Sequence, residues 1–190
     1  MSSAIHQETV RPAPVDFRRA MGRFCTGVTV IACGTDDSTD AMTANAMTSV
    51  SIDPLMLLVS IRTAGRLSGR LGIGCSFSVS VLSEAQEDLS ALFARPDRPR
   101  GAEAFERLGS WRGPGGSALA AGALAAFECT VEAEYPGGDH TLFLGRVTAV
   151  HQGPAEARPL LYYRGGHPRL LDPLSLPAFD QPQEVETIHA

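Results

Sequence analysis

The hairpin formed by ALAAFECTVEAEY and HTLFLGRVTAVHQ limits the folds open to this chain more than any other stretch. Both runs are apolar, aromatic and β-branched, and Pro136, Gly137 and Gly138 between them supply a tight turn. Two strands joined so directly pair antiparallel, because a parallel pair needs a crossover connection. Asp139 and His140 stand at the mouth of the second run, where an ionisable side chain either faces a site or ties down the turn.

The rest of the chain repeats this hairpin grammar. TGVTVIACG reads as a strand from Thr26, and the loop TDDSTD leads to AMTANAMTSVSIDPLMLLVSI. There, alternating small and hydroxylated residues, a turn at Asp53-Pro54, and the buried run Leu55 to Ile61 follow one another. CSFSVSVL alternates as a further strand, and RPLLYYRGGHPRLL closes the series with a last strand and turn. Helices are short. One is expected from Asp16, as its cap, to Arg23, another over 63–73, and a third over SEAQEDLSALFA, where Ser83 and Gln86 form a capping box and Pro96 marks the end. Residues 95–116 read as a surface excursion with a helical turn or two. The order predicts a mainly β, closed or nearly closed barrel with helices at its ends. One domain is expected over 15–172, preceded by a mobile arm over 1–14 and followed by a tail over 173–190.

Charge narrows the function. The net charge is −5, which disfavours nucleic acid and an anionic membrane surface as partners. All 16 basic residues are arginine. Without lysine there is no Schiff base, no pyridoxal phosphate enzyme and no phosphate-loop NTPase, so any bound anion must be met by arginine, hydroxyls or backbone N–H groups. Cys25, Cys33, Cys75 and Cys129 have no metal spacing and read as small core residues. No secretory or membrane-spanning run is visible, so a cytoplasmic location is expected.

The common catalytic signatures are missing. GIGCSF has Phe77 where a dinucleotide-binding turn needs its third glycine, and neither a GxSxG elbow nor an HExxH pair occurs. MTANAMTSVS sets Thr43, Asn45, Thr48, Ser49 and Ser51 among small apolar residues, which lets a flat ligand approach the backbone; an ordinary half-exposed strand has the same composition. SIRTAGRLSGR brings Ser60, Arg62, Thr63, Arg66 and Ser68 to a strand end, suited to an anion or simply to water. His151 and His167 read as loop residues, and Glu128, Glu132 and Glu134 as the wet face of a strand.

In order, FCTGVTVIA, MTANAMTSVSIDPLMLLVSI, FSVSVLSEAQEDLSALFA, FECTVEAEYPGGDHTLFLGRV and PLLYYRGG resemble the flavin reductase-like family. These are short-chain NAD(P)H:flavin oxidoreductases that serve two-component flavin monooxygenases, and the likeness runs from about Phe17 to about Arg169. The resemblance implies an FMN-binding split barrel, a six-stranded Greek-key barrel flanked by short helices. It further implies a homodimer with FMN or FAD near the subunit interface, and hydride transfer from NADH or NADPH to flavin N5. The reduced flavin would diffuse to a partner monooxygenase.

The same likeness implies that Met42, Thr43, Ala44, Asn45, Ala46 and Met47 run along the isoalloxazine. Ser60, Ile61, Arg62, Thr63 and Arg66 would hold the ribityl phosphate end, with Ser49 and Ser51 nearby. Phe93 would close over the flavin, His140 would contact the nicotinamide, and Tyr163 and Arg164 match a C-terminal motif. Three positions depart from the family pattern: Ala46 for serine, Leu55 for a second proline, and Ser80, counted with the cofactor residues, for asparagine. Two other readings share the fold: a flavoprotein that keeps its flavin and acts on an organic substrate, and a non-catalytic flavin- or haem-binding protein.

Overall fold

The computed structural model describes residues 12–170. In chain order it contains α1 (Pro14–Met21), β1 (Thr26–Gly27), β2 (Thr29–Cys33), β3 (Asp40–Ala44), β4 (Met47–Ile52) and β5 (Leu55–Arg62). There follow β6 (Ser76–Val81), α2 (Glu87–Ala94), α3 (Gly101–Arg107), β7 (Trp111–Arg112) and β8 (Ala118–Leu119). The long strands β9 (Ala125–Gly137) and β10 (His140–Gln152) precede the short β11 (Leu161–Tyr162).

Seven strands form one antiparallel sheet in the order β3-β2-β6-β9-β10-β5-β4. Its two edges, β3 and β4, are consecutive in the chain and separated only by Asn45 and Ala46. A sheet whose opposite edges are joined by two residues must curl until those edges meet. No ladder joins β3 to β4 among the described residues, so the barrel stays split along this seam. The count is seven strands rather than the six expected, because the seam divides one apparent run into β3 and β4.

The side-chain period of two sends one residue set inward. Ile31, Val59, Ile61, Phe77, Val79, Val131 and Phe143 fill the barrel with exposures of 0 to 1 %. A second cluster lies on the outer face of β2 and β3, where Val28, Val30 and Ala41 meet Phe93 of α2 and Ala104 of α3. The helices therefore cover one side of the barrel instead of capping its ends as expected. This explains why β2, TVIAC, is buried on both faces.

Other expectations need adjustment. Pro14 begins α1, where its missing N–H is harmless, and Ala13 rather than Asp16 takes the cap position. The rest of the arm, up to residue 11, and the tail over 173–190 lie outside the described residues. The helix expected over 63–73 shrinks to a 3-10 turn at Ser68–Arg70, since Gly65, Gly69 and Gly72 weaken any longer helix while Leu67 and Leu71 still reach the core. Gln86 Oε1 accepts the Ser83 N–H at 3.0 Å, closing a 3-10 turn that leads into α2. Only Cys33 and Cys129 are buried; Cys25 and Cys75 are exposed, contrary to the sequence expectation.

The β9–β10 hairpin carries two register shifts, at Leu144/Gly145 and at Val147/Ala149. In the first, Glu132 is the extra residue on β9; in the second, Thr148 is the extra residue on β10. Gly145 sits where the Phe77 ring passes, and a Cβ there would lie 2.6 Å from Phe77 Cζ. Phe77 is fully buried and has nowhere to retreat. Gly145→Ala is therefore expected to destabilise the fold by about 1–3 kcal/mol through overpacking, measured by denaturant unfolding; an unchanged midpoint would show that the ring moves freely.

Burial pushes the Cys33 thiol up to about 11 and the Cys129 thiol up to about 12. In native protein near neutral pH these two should resist a thiol-specific reagent and react only on unfolding. Rapid native labelling at either position, located by mass spectrometry, would contradict the packing.

Candidate functional site

The seam decides what MTANAMTSVS can present. Met42, Ala44 and Met47 pack against the barrel core, so they form its wall at the closing corner. Thr43 points the other way and donates to the Ser90 carbonyl of α2 at 2.7 Å. Asn45 Nδ2 donates to Thr26 Oγ1 at 3.3 Å, and the Ala46 carbonyl accepts the Ser60 N–H at 3.0 Å. Ser49 and Ser51 lie beyond on the edge strand β4, on either side of a register shift.

Past Ser60, β5 and β10 bring the next group together. Arg62 lies opposite His140, and Ser60 opposite Leu142. The Thr63 N–H donates to the Asp139 carbonyl at 3.0 Å, and the Thr63 and Thr141 hydroxyls are 2.9 Å apart. His140 Nδ1 is 2.7 Å from Asp139 Oδ1, while the ring remains partly open to solvent. The hydrogen bond from His140, then its charge, hold the Asp139 carboxyl below the usual range. The Ala46 carbonyl, Ser60, Arg62, Thr63, Asp139 and His140 thus form one continuous polar strip that runs from the seam along the end of β5 to the β9–β10 turn.

A cavity of about 760 Å³ opens on the other side of Asn45. Its walls are α1 and the C-terminal segment, including Phe17, Met21, Phe24, Tyr162 and Arg164. Arg164 takes a left-handed conformation at φ 52° and donates its N–H to the Gly22 carbonyl at 2.9 Å, which fixes the YYRGG turn against the end of α1. Tyr163 pairs with Gly166 in this turn and is itself exposed.

Besides Thr43, four of the residues named from the sequence are buried or engaged by other parts of the protein. Ile61 is fully buried in the barrel, and Phe93, 1 % exposed, belongs to the outer cluster beneath α2. Ser80 is buried and its hydroxyl accepts the Ala120 N–H at 3.1 Å, so the serine that replaces asparagine here serves the core. Arg66 is held by Asp40, its Nε and Nη2 lying 2.8–3.0 Å from both carboxylate oxygens.

Two carboxylates were misread from the sequence. Asp40 appeared to close a loop, yet it opens β3 and is buried; its in-phase spacing with Met42 and Ala44 was the available signal. Glu128 was expected on the wet face with Glu132 and Glu134, which are indeed more open. It is instead 1 % exposed, because the 113–117 loop folds over it. Glu128 accepts the Gly115 N–H at 2.6 Å and meets His151 Nε2 at 2.8 Å. His151 lies in β10 and not in a loop, with Trp111 edge-on at 4.7 Å. His167 Nδ1 lies 2.8 Å from the Leu161 carbonyl, in keeping with a turn residue.

A flavin fits this arrangement. Ala44 and Ala46 leave the backbone at the seam approachable, Arg62 and Thr63 offer a cation and a hydroxyl for a phosphate, and the adjoining cavity has the volume of a cofactor pocket.

Comparisons with known proteins agree. Residues 21–171 match the family model described as a flavin reductase like domain. An NADH-dependent FMN reductase, AsuE2 of Streptomyces nodosus subsp. asukaensis, is 46% identical over 162 residues, covering 85% of this chain and 88% of the relative. HsaB, the reductase subunit of a flavin-dependent monooxygenase of Mycobacterium tuberculosis, is 35% identical over 158 residues, with 81% of each chain covered. The structure of the Streptomyces globisporus C-1027 NADH:FAD oxidoreductase SgcE6, in complex with NAD and FAD fragments, superposes with a TM-score of 0.76 at 36% identity, covering 85% of this chain and 94% of the other.

Proposed function

Because this chain belongs to the flavin reductase-like family, we propose that it reduces FMN or FAD with NADH and releases the reduced flavin to a separate monooxygenase. The observation that carries this reading is the polar strip at the barrel seam, where Ala46, Ser60, Arg62, Thr63 and His140 converge. The redox chemistry would be the cofactors': a flavin held here would supply the hydride acceptor and a nicotinamide the donor. The chain supplies placement. Arg62 and Thr63 hold the phosphate end, the small residues of the seam let the ring lie against backbone, and His140, oriented by Asp139, positions the nicotinamide. No side-chain nucleophile is needed, consistent with a chain that has no lysine.

The test is NADH oxidation followed with and without added flavin. Turnover that depends on added FMN or FAD, without any organic substrate, is the expected result; turnover that requires an organic substrate instead would overturn it. His140→Ala should raise the KM for NADH about tenfold, the size of one charge-assisted contact, while moving the flavin KM much less. Steady-state kinetics in which only the flavin KM changes would remove His140 from the nicotinamide.

The active form in this reading is a homodimer. Helix α1 has no buried residue, and Val15, Phe17, Met21 and Phe24 are 51 to 68 % exposed along the cavity wall. So large an apolar surface beside a cofactor site is what a second copy would cover. Sedimentation should give twice the chain mass, and Phe24→Asp should shift it toward monomer and weaken flavin binding; a monomeric wild type would refute the assembly. The four cysteines are free, which suits a cytoplasmic enzyme. No helix among the described residues is long and apolar enough to cross a membrane.

A further inference from the structure

Asp40 is a carboxylate buried at the start of β3, with its side chain 2% exposed. A buried charge needs a partner, and Arg66 provides it with a two-pronged contact, Nε at 2.8 Å from one oxygen and Nη2 at 2.8 Å from the other. Arg66 Nη2 also donates to the Pro99 carbonyl at 3.3 Å. The hydrogen bond to Asp40 pushes the Arg66 guanidinium further up, so it stays charged and engaged. What this contact fixes is the backbone that carries Arg66.

That backbone is the turn between β5 and the 3-10 turn at Ser68–Arg70. Its first residue, Thr63, is tied to the β9–β10 hairpin through Asp139 and Thr141, and the Gly65 N–H donates to the Arg62 carbonyl at 2.8 Å. Among the described residues, the N–H groups of Ala64 and Arg66 donate to no backbone acceptor. The turn is therefore pinned at Thr63 by the hairpin and through the Arg66 side chain by Asp40, with the Ala64 N–H between the pins and the Arg66 N–H at the second of them left without a backbone acceptor. Such a turn recognises an anion only while its shape is held.

We propose that Asp40 is a positioning residue: through Arg66 it holds the Thr63–Arg66 turn in the shape that accepts a terminal phosphate, and so sets the preference for phosphorylated over unphosphorylated flavin. This rests on the reading above that the turn receives the phosphate end of the flavin. Asp40 itself touches no ligand, and Arg66 acts on the turn rather than on the phosphate.

The measurement is the ratio of affinities for FMN and riboflavin, read by flavin fluorescence quenching in wild type, Asp40→Asn and Arg66→Lys, with thermal unfolding in parallel. Asp40→Asn keeps the volume but loses the charge, and the ratio should fall about tenfold, the worth of one charge-assisted hydrogen bond. Arg66→Lys keeps the charge but loses the fork, and should move the ratio the same way. A purely structural role would lower the melting temperature and affect both flavins equally, which would overturn the inference. A ratio within twofold of wild type would also overturn it. A rise in FMN preference in Asp40→Asn would show that the released guanidinium binds phosphate directly, again against the inference. If Asp40→Asn does not fold, Arg66→Lys carries the test on the same threshold. Wild type that binds riboflavin as tightly as FMN would instead refute the phosphate-end reading itself, and the inference with it.

Discussion

The crossing from β3 to β4 is the constraint on which the rest depends. Two residues, Asn45 and Ala46, carry the chain from one edge of a seven-stranded sheet to the other. The sheet must roll up to allow it, and the rolling creates the interior that Phe77, Phe143 and their neighbours fill. Since β3 and β4 pair with β2 and β5 and not with each other, the roll leaves a seam where the backbone is open to a ligand. Fold and proposed site thus have one origin: the place where the sheet fails to complete its ladder is the place where the proposed flavin would lie.

Much of this is legible in the sequence. The two-residue period of CSFSVSVL and the continuous apolar run from Leu55 to Ile61 identified real strands, although β5 buries only every second residue of that run rather than all of it, and the turn at Gly137-Gly138 joins β9 to β10 as read. Legibility failed where distant chain covers a side chain. Glu128 alternates with its neighbours as a wet residue should, and only the 113–117 loop, folded back over the strand it precedes, puts it inside. Arg66 looked like a ligand because it follows a strand end, and its capture by Asp40 depends on a pairing 26 residues apart. Ser80 and Phe93 were assigned by resemblance, which conveys which positions matter but not which way a side chain faces. Local pattern reports the period of an element; it carries no information about what is later laid against it.

Polar work is divided between the two ends of the long hairpin. At the turn end, Asp139 and His140 remain open to solvent and free to meet a ligand. At the far end, the same pairing of acid and imidazole, Glu128 with His151, is shut beneath Gly115 and Trp111 and serves to fasten a loop. Identical chemistry thus has opposite uses according to access to water. A Cβ at Gly115 would come within 2.5 Å of Glu128, so the fastening loop can approach this closely only as glycine.

The two irregularities in the hairpin add one residue to each strand, Glu132 to β9 and Thr148 to β10, so the offset introduced by the first is removed by the second. They are a matched pair. Losing either alone would slip the ladder by one position over all that follows, and every inward side chain there would turn outward. Length changes in this hairpin are therefore viable only as compensated doublets, one on each arm. Descent with insertions and deletions should therefore keep the hairpin's spacing intact.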